Sequence, residues 1–179
     1  RSIEYEHSRG YVREALSQIL GMPPLDVPII SPPGLAPKLP IELGYVSFSH
    51  CKGGLVIGWS IEKIGVDVER IDRFFEAKKI LNKFFSNCER KLLQHLNDKD
   101  LNSEVLKLWV RKEAAIKWQK GSIFSDLSKW VFKCGTNTME NKVDGYKLRS
   151  LFYNHENWYI SVASGINLGE ENPIICKYK

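Results

Sequence analysis

The stretch from about Glu104 to Lys120 constrains the fold more than any other part of the chain. Advancing ~100° per residue as an α-helix, it places Val105, Leu106, Leu108, Trp109, Val110, Ala115 and Ile116 on one broad apolar face. Ser103 is the expected N-cap and Gly121 the stop. Two charges interrupt that face. Glu113 falls inside it, flanked in projection by Trp109 and Leu106, and Lys117 lies between Leu106 and Val110. Charges almost never sit on an apolar face unless they are paired or ligating. An intrahelical Glu113–Lys117 pair contributes only about 0.2–0.5 kcal/mol. That pair does not account for the burial, so a functional role is favoured.

The rest of the composition bounds the class. The 179 residues are 43% hydrophobic and 26% charged, with a mean hydropathy of −0.28. This is globular composition, enough for one domain or two small ones, and it excludes a disordered or fibrous chain. No apolar run approaches the ~20 residues that span a bilayer, so a soluble protein is expected. Lys and Arg number 26 against 21 Asp and Glu, a net charge of +5 with pI near 9.0. An anionic partner of unspecified kind follows. Cys51, Cys88, Cys134 and Cys176 show neither zinc spacing nor disulfide density, which points to a reducing cytoplasm with the cysteines as small core residues. The chain opens with Arg1 rather than Met, so its first element is expected to be incomplete.

Along the chain, residues 8–20 read as a helix with Ser8 as N-cap and Gly21 as its stop. Residues 22–40 carry seven of the eight prolines and form an extended loop. Tyr45–Ser49, Leu55–Ile61 and Ile64–Glu69 read as a three-stranded meander. Residues 74–96 read as one basic helix that buries Phe84, Phe85, Leu92 and Leu93, followed by a polar turn over Asn97–Asn102. Trp130–Lys133, Gly145–Tyr153, Trp158–Ser164 and Ile174–Lys177 alternate as short antiparallel strands. Tyr11–Ala15 echoes Trp109–Ala114, and Tyr45–Ser49 echoes Tyr159–Ala163. Chance accounts for matches this short, or else the chain is a duplicated α/β unit with a cleft between its halves.

Two further constellations carry chemistry. In Gly65-Val66-Asp67-Val68-Glu69, strand alternation sends both carboxylates to one face. Two adjacent carboxylates repel unless a cation lies between them. An oxygen-only pair suits Mg²⁺, and the plain alternative is a solvent-facing strand end paired with Arg70 or Lys63. In Ser47-Phe48-Ser49-His50, a His beside a Ser at a strand end can grip a phosphate, although a lone His is commonly structural. No serine-hydrolase elbow, P-loop or dinucleotide fingerprint is present.

Taken in order, these pieces resemble the 4′-phosphopantetheinyl transferases, in particular the monomeric group that activates synthetases and resembles the surfactin-synthetase activator. The family pattern is a lysine–proline element, F-x-x-S-H, G-x-D-x-E, F-[ST]-x-x-E and W-x-x-K-E-A-x-x-K. Here it reads Pro37-Lys38-Leu39-Pro40, Phe48-Ser49-His50, Gly65 to Glu69, Phe85-Ser86-Asn87-Cys88-Glu89, and Trp109 to Lys117. The match runs from about residue 8 to residue 123. The resemblance implies an α+β fold of two similar α/β halves related by a pseudo-twofold axis, each a small antiparallel sheet packed with a long helix. The halves would be residues 1–66, shortened and lacking its first strand, and residues 67–179.

The resemblance further implies that Asp67, Glu69 and Glu113 bind Mg²⁺ and that Lys38, Ser49, His50 and Lys117 hold coenzyme A. Glu113 ranks first as catalytic base, with Lys117 second. Arg9 and Arg13 partly replace the basic residues that relatives carry upstream for the 3′-phosphate. The implied reaction moves the phosphopantetheine arm to a serine of an apo acyl, peptidyl or aryl carrier protein. An acidic carrier would meet Lys78, Lys79, Lys83, Arg90 and Lys91, with Arg111 and Lys120 nearby, unless this is simply a solvated helix. The chain departs from the pattern at Cys51, where relatives often have Ser, and in the reduced glycine stretch at Lys120-Gly121-Ser122-Ile123. The competing class is a non-catalytic binder of coenzyme A or of an acidic partner, a carrier protein or RNA. It leaves Asp67, Glu69 and Glu113 unexplained, and no RNA-binding signature appears, so neither a nucleic-acid nor a membrane partner is expected.

Overall fold

The long helix α4 spans Asp98–Gln119 and lies against a five-stranded antiparallel sheet. The computed structural model describes residues 2–32, 34–133 and 135–166, with side chains from Ser8 onward. The chain is α+β. It begins with α1 (Ser2–Leu20), followed by β1 (Tyr45–Cys51), β2 (Gly54–Ser60) and β3 (Ile64–Arg70). Two short helices, α2 (Ala77–Phe84) and α3 (Asn87–Leu93), precede α4. After α4 come α5 (Ile123–Asp126), β4 (Trp130–Lys133), β5 (Thr138–Asn141), β6 (Lys147–His155) and β7 (Trp158–Gly165). The expected strand Ile174–Lys177 lies outside the described residues, as do Cys134 and Cys176.

The expected meander is not what forms. β1 and β2 make a two-stranded sheet, whereas β3 joins the large sheet in the order β3-β7-β6-β5-β4. β3 pairs antiparallel with β7, setting Asp67 opposite Ser161 and Glu69 opposite Tyr159. Toward β1 it has side-chain links instead of a ladder: the Val66 N–H donates to Ser47 Oγ at 3.1 Å. A boundary at residue 66 therefore cuts through β3, which belongs entirely to the second sheet.

Each sheet has its own core. Val12 and Leu16 of α1 are buried with Val27 and Val46, and Phe48 and Trp59 pack around them. Ala114, Ala115 and Ile116 of α4 close on Trp130, Met139, Leu148 and Ala163 in the large sheet and on Leu127 at the end of α5.

Helix ends also differ from expectation, for identifiable reasons. α1 starts at Ser2, so Ser8 is an interior residue and not a cap. The basic segment 74–96 is two helices because Ser86 caps α3 in a reciprocal box with Glu89. Phe85 and Leu93 are buried as expected, Phe84 is half-buried, and Leu92 is exposed. α4 starts one residue after Asn97, whose side chain accepts the Asp100 N–H at 3.0 Å. The polar turn thus becomes the first turns of the helix, and Ser103 instead hydrogen-bonds the Tyr159 hydroxyl at 2.9 Å. At the other end Lys120 takes the left-handed conformation (φ 59°) ahead of Gly121. Cys51 is half-buried and Cys88 exposed, so neither is the core residue that composition suggested.

One ion pair ties these pieces together. Lys112 and Glu89 have no solvent exposure and meet at 3.1 Å. Lys112 also donates to the Trp130 carbonyl, while Glu89 accepts from Ser86 N–H at 2.8 Å and Phe132 N–H at 3.1 Å. One carboxylate thereby caps α3, satisfies β4 and neutralises α4. Removing a single partner strands a buried charge. Lys112→Met should cost about 3–5 kcal/mol, and the Lys112→Met/Glu89→Gln double variant should cost less than the sum, as read by urea unfolding of the four proteins in a double-mutant cycle.

Candidate active site

Strand alternation sends Gly65, Asp67 and Glu69 to the face of β3 that meets α4. Gly65 permits the close approach, because a Cβ there would collide with the Ala114 carbonyl oxygen. One helical turn along, Glu113 and Lys117 then reach the strand. Ligand atoms of Asp67, Glu69 and Glu113 lie within 4.8 Å of one another. Lys117 Nζ donates to Asp67 Oδ1 at 2.6 Å and to Ser49 Oγ at 2.7 Å, and Ser49 Oγ donates to the same Asp67 oxygen at 2.7 Å. Lys117 therefore pairs across the fold with Asp67, not along the helix with Glu113. On the far side, Arg73 forms a salt bridge with Glu69.

Burial shapes the charge of this cluster. Asp67 is 1% exposed and Glu113 is 9% exposed. Burial, then the nearby Asp67 charge, pushes Glu113 up to about 8. Burial also raises Glu69, against the opposing Arg73 charge, and raises Asp67, against Lys117. Among the described residues Asp67 Oδ2 is buried without a hydrogen-bond partner. Three converging carboxylates, one with an orphaned oxygen, form a hard, oxygen-only donor set that fits Mg²⁺.

Beside the triad opens a cleft of about 620 Å³ lined by Lys38, Lys63, Lys117 and Lys120, with Tyr45 and Trp118 between them. Its walls come from the proline-rich segment and β1 on one side and from the end of α4 on the other. The Lys63 ammonium lies 5.4 Å from the Trp118 ring centroid. Four lysines around an aromatic-lined cleft suit a polyanion carrying a planar ring.

The expected residues are thus divided. Asp67, Glu69, Glu113 and Lys117 converge, and Lys38 lines the adjoining cleft. Ser49 is turned inward and committed to Asp67 and Lys117. His50 is exposed on the β1 face of Val46 and Phe48 and does not line this cleft. Arg9 donates to Ser31 Oγ at 3.1 Å, and Arg13 donates to the Val27 carbonyl. Both brace α1 against the proline-rich loop, away from the cleft.

The basic helix is likewise partly occupied. Lys78 and Lys79 pair with Asp98 and Glu76 at 2.6 Å. Arg111 is stacked between Phe132 and Phe152, at 4.5 and 4.9 Å, and bonds the Ser150 carbonyl, so it is not a docking residue. Sequence reasoning missed Arg73, for which no pattern existed. It also missed Lys112, whose signal was available: Lys112 lies on the stripe of Val105, Leu108, Ala115 and Ile116, by the same test that singled out Glu113.

Buried carboxylates whose donor set fits a divalent cation thus stand beside a lysine-lined cleft. The family model of the 4′-phosphopantetheinyl transferase superfamily matches residues 63–163, more than half of the chain, and the chain belongs to that superfamily. The family transfers phosphopantetheine from coenzyme A to carrier proteins and typically uses a divalent metal. No curated protein matches the chain significantly. Among the described residues no helix is long and apolar enough to cross a membrane.

The raised Glu113 pKa has a pH signature. Between about 4.5 and 8 the native carboxyl keeps a proton that the unfolded chain has released. Stability from this group is therefore full below 4.5 and lost as pH rises toward 8. In metal-free protein the thermal midpoint should fall across that window, Glu113→Gln should flatten the fall, and Mg²⁺ should raise the midpoint more at pH 8 than at pH 5.5. Differential scanning fluorimetry over a pH series checks all three.

Proposed function

We propose that the chain is a Mg²⁺-dependent 4′-phosphopantetheinyl transferase of the monomeric, synthetase-activating group. It would move the phosphopantetheine arm of coenzyme A to a serine of an apo acyl or peptidyl carrier protein in the cytoplasm, releasing 3′,5′-ADP. The observation that carries this reading is the buried Asp67–Glu69–Glu113 triad, with Lys117 and Ser49 locked to it and a lysine-lined cleft alongside. One chain supplies both walls of the cleft, which supports a monomer.

In this reading Lys38, Lys63 and Lys120 receive the phosphates of coenzyme A, and Tyr45 and Trp118 flank its nucleotide. Asp67, Glu69 and Glu113 would hold Mg²⁺, which supplies charge neutralisation on the pyrophosphate when bound. Lys117 stands where the cleft meets the triad and stabilises the charge that builds on the leaving phosphate. The serine oxygen forms a bond to the phosphorus. The phosphoanhydride P–O bond breaks, and its electron pair leaves on the nucleotide phosphate. Glu113 takes the serine proton.

The test is to incubate the protein with coenzyme A, Mg²⁺ and an apo carrier protein and to weigh the carrier. A gain of one phosphopantetheine arm is expected, abolished by EDTA. Glu113→Gln should lower kcat by about 100-fold or more, with coenzyme A still bound. Binding of coenzyme A without transfer to any of several carriers would favour the binding-only alternative. A chain that does not bind coenzyme A would sink the proposal.

A further inference from the structure

β1 lies beside β3 without a hydrogen-bonded ladder, and two serine hydroxyls reach across instead. Ser47 and Ser49 stand two residues apart on one face of β1, and each is buried. Ser47 Oγ accepts the Val66 N–H at 3.1 Å and so holds the backbone of β3. Ser49 Oγ donates to Asp67 Oδ1 at 2.7 Å and so holds a side chain. The first bond joins two strands. The second sets the rotation of one carboxylate.

That carboxylate is held unevenly. Oδ1 takes two donors, Ser49 Oγ at 2.7 Å and Lys117 Nζ at 2.6 Å. Oδ2 is buried without a hydrogen-bond partner among the described residues. Glu69 is likewise held at one oxygen, by Arg73. With one free oxygen from Asp67, one from Glu69 and two from Glu113, the triad presents four at most to a cation. Mg²⁺ takes about six oxygens at about 2.0–2.1 Å in a near-octahedral shell and keeps several waters. Ca²⁺ takes about six to eight at about 2.3–2.6 Å and accepts both oxygens of one carboxylate. A carboxylate that can offer only one oxygen therefore suits the smaller ion.

Of the two donors on Oδ1, the hydroxyl is the fixed one. The Lys117 side chain is 30% exposed and borders the lysine cleft, so a phosphate there competes with Asp67 for its ammonium. Ser49 does not line that cleft, and its short side chain stands on a strand paired with β2 along its whole length.

Resting on the Mg²⁺ reading above, we infer that Ser49 is a positioning residue that selects the cation. By holding Oδ1 it keeps Asp67 a one-oxygen ligand, and it thereby sets a preference of the triad for Mg²⁺ over Ca²⁺. This role differs from the coenzyme A contact that the family pattern gives to the same serine.

The test reads cation binding on the metal-free full chain, without turnover. Mn²⁺ is bound first, its free fraction is followed by electron paramagnetic resonance, and Mg²⁺ or Ca²⁺ is added to displace it. Each titration is run without and with coenzyme A, corrected for cation held by free coenzyme A. The wild type should bind Mg²⁺ more tightly than Ca²⁺. Ser49→Ala should weaken Mg²⁺ by about tenfold, the size expected for losing a group that orients a metal ligand. Ca²⁺ should hold within about twofold, because a carboxylate freed to rotate gives it a second oxygen. Ser49→Thr, which keeps the hydroxyl on a side chain suited to a strand, should restore the Mg²⁺ preference. Coenzyme A affinity in EDTA, by calorimetry, should be the same for all three proteins.

If Ser49→Ala binds both cations as the wild type does, or loses both alike, the role assigned to Ser49 is overturned and the Mg²⁺ reading stands. The same holds if the wild type takes Ca²⁺ as tightly as Mg²⁺. If Ser49→Ala weakens coenzyme A in EDTA and keeps the cation preference, the hydroxyl serves the substrate and the assignment is overturned as well. A wild type that takes up none of the three cations, with or without coenzyme A, overturns the Mg²⁺ reading and, with it, this one.

Discussion

Everything at the site depends on how closely β3 lies against α4. That distance is set by the missing side chain of Gly65, beneath the backbone of Ala114 to Trp118. Because the strand is that near, the turn of helix holding Glu113 and Lys117 faces Asp67 and Glu69. Carboxylates brought together in a buried place repel, and the protein meets that cost with Lys117 on one side and Arg73 on the other. Neither cation reaches Asp67 Oδ2, and the raised pKa of Glu113 reflects the same shortfall. The site is thus built with electrostatic strain that a divalent cation would relieve.

Two adjacent residues of α4 divide the work of holding it in place. Glu113 faces β3, and Lys112 turns to the other side, into a wholly buried pair with Glu89. That pair links α3, the chain leading into β4, and β4 itself, so the rotation of α4 about its axis is fixed by hydrogen bonds as well as by packing. A buried ion pair is seldom a large source of net stability. Its value here is registry, since a small rotation of α4 would carry Glu113 out of reach of Asp67.

Much of this was legible residue by residue. The alternation Gly65 to Glu69 put Asp67 and Glu69 on one face, and the helical projection exposed Glu113 and Lys117 as misfits in an apolar stripe. Lys112 met the same criterion and could have been found the same way. The family pattern gave Ser49 a role at coenzyme A, whereas its hydroxyl is turned toward Asp67 and Lys117. The Ser86–Glu89 capping box was present in the motif, yet the segment still read as one continuous helix, because periodicity persists through a break of two residues. The meander failed because a strand's local pattern does not name its hydrogen-bonding partner: β3 is adjacent to β2 in sequence but pairs with β7, nearly a hundred residues away.

By itself the sequence determined which side chains carry charge into apolar surroundings and on which face of each element they stand. Those properties follow from the 2- and 3.6-residue periods, which are local. Only the tertiary structure decided that Lys117 answers Asp67 instead of Glu113, and that Arg9 and Arg13 are consumed by backbone and side-chain oxygens of the proline-rich loop. Those pairings join residues from separate elements, and the energy that selects them exists only once the elements have packed and water has been excluded between them.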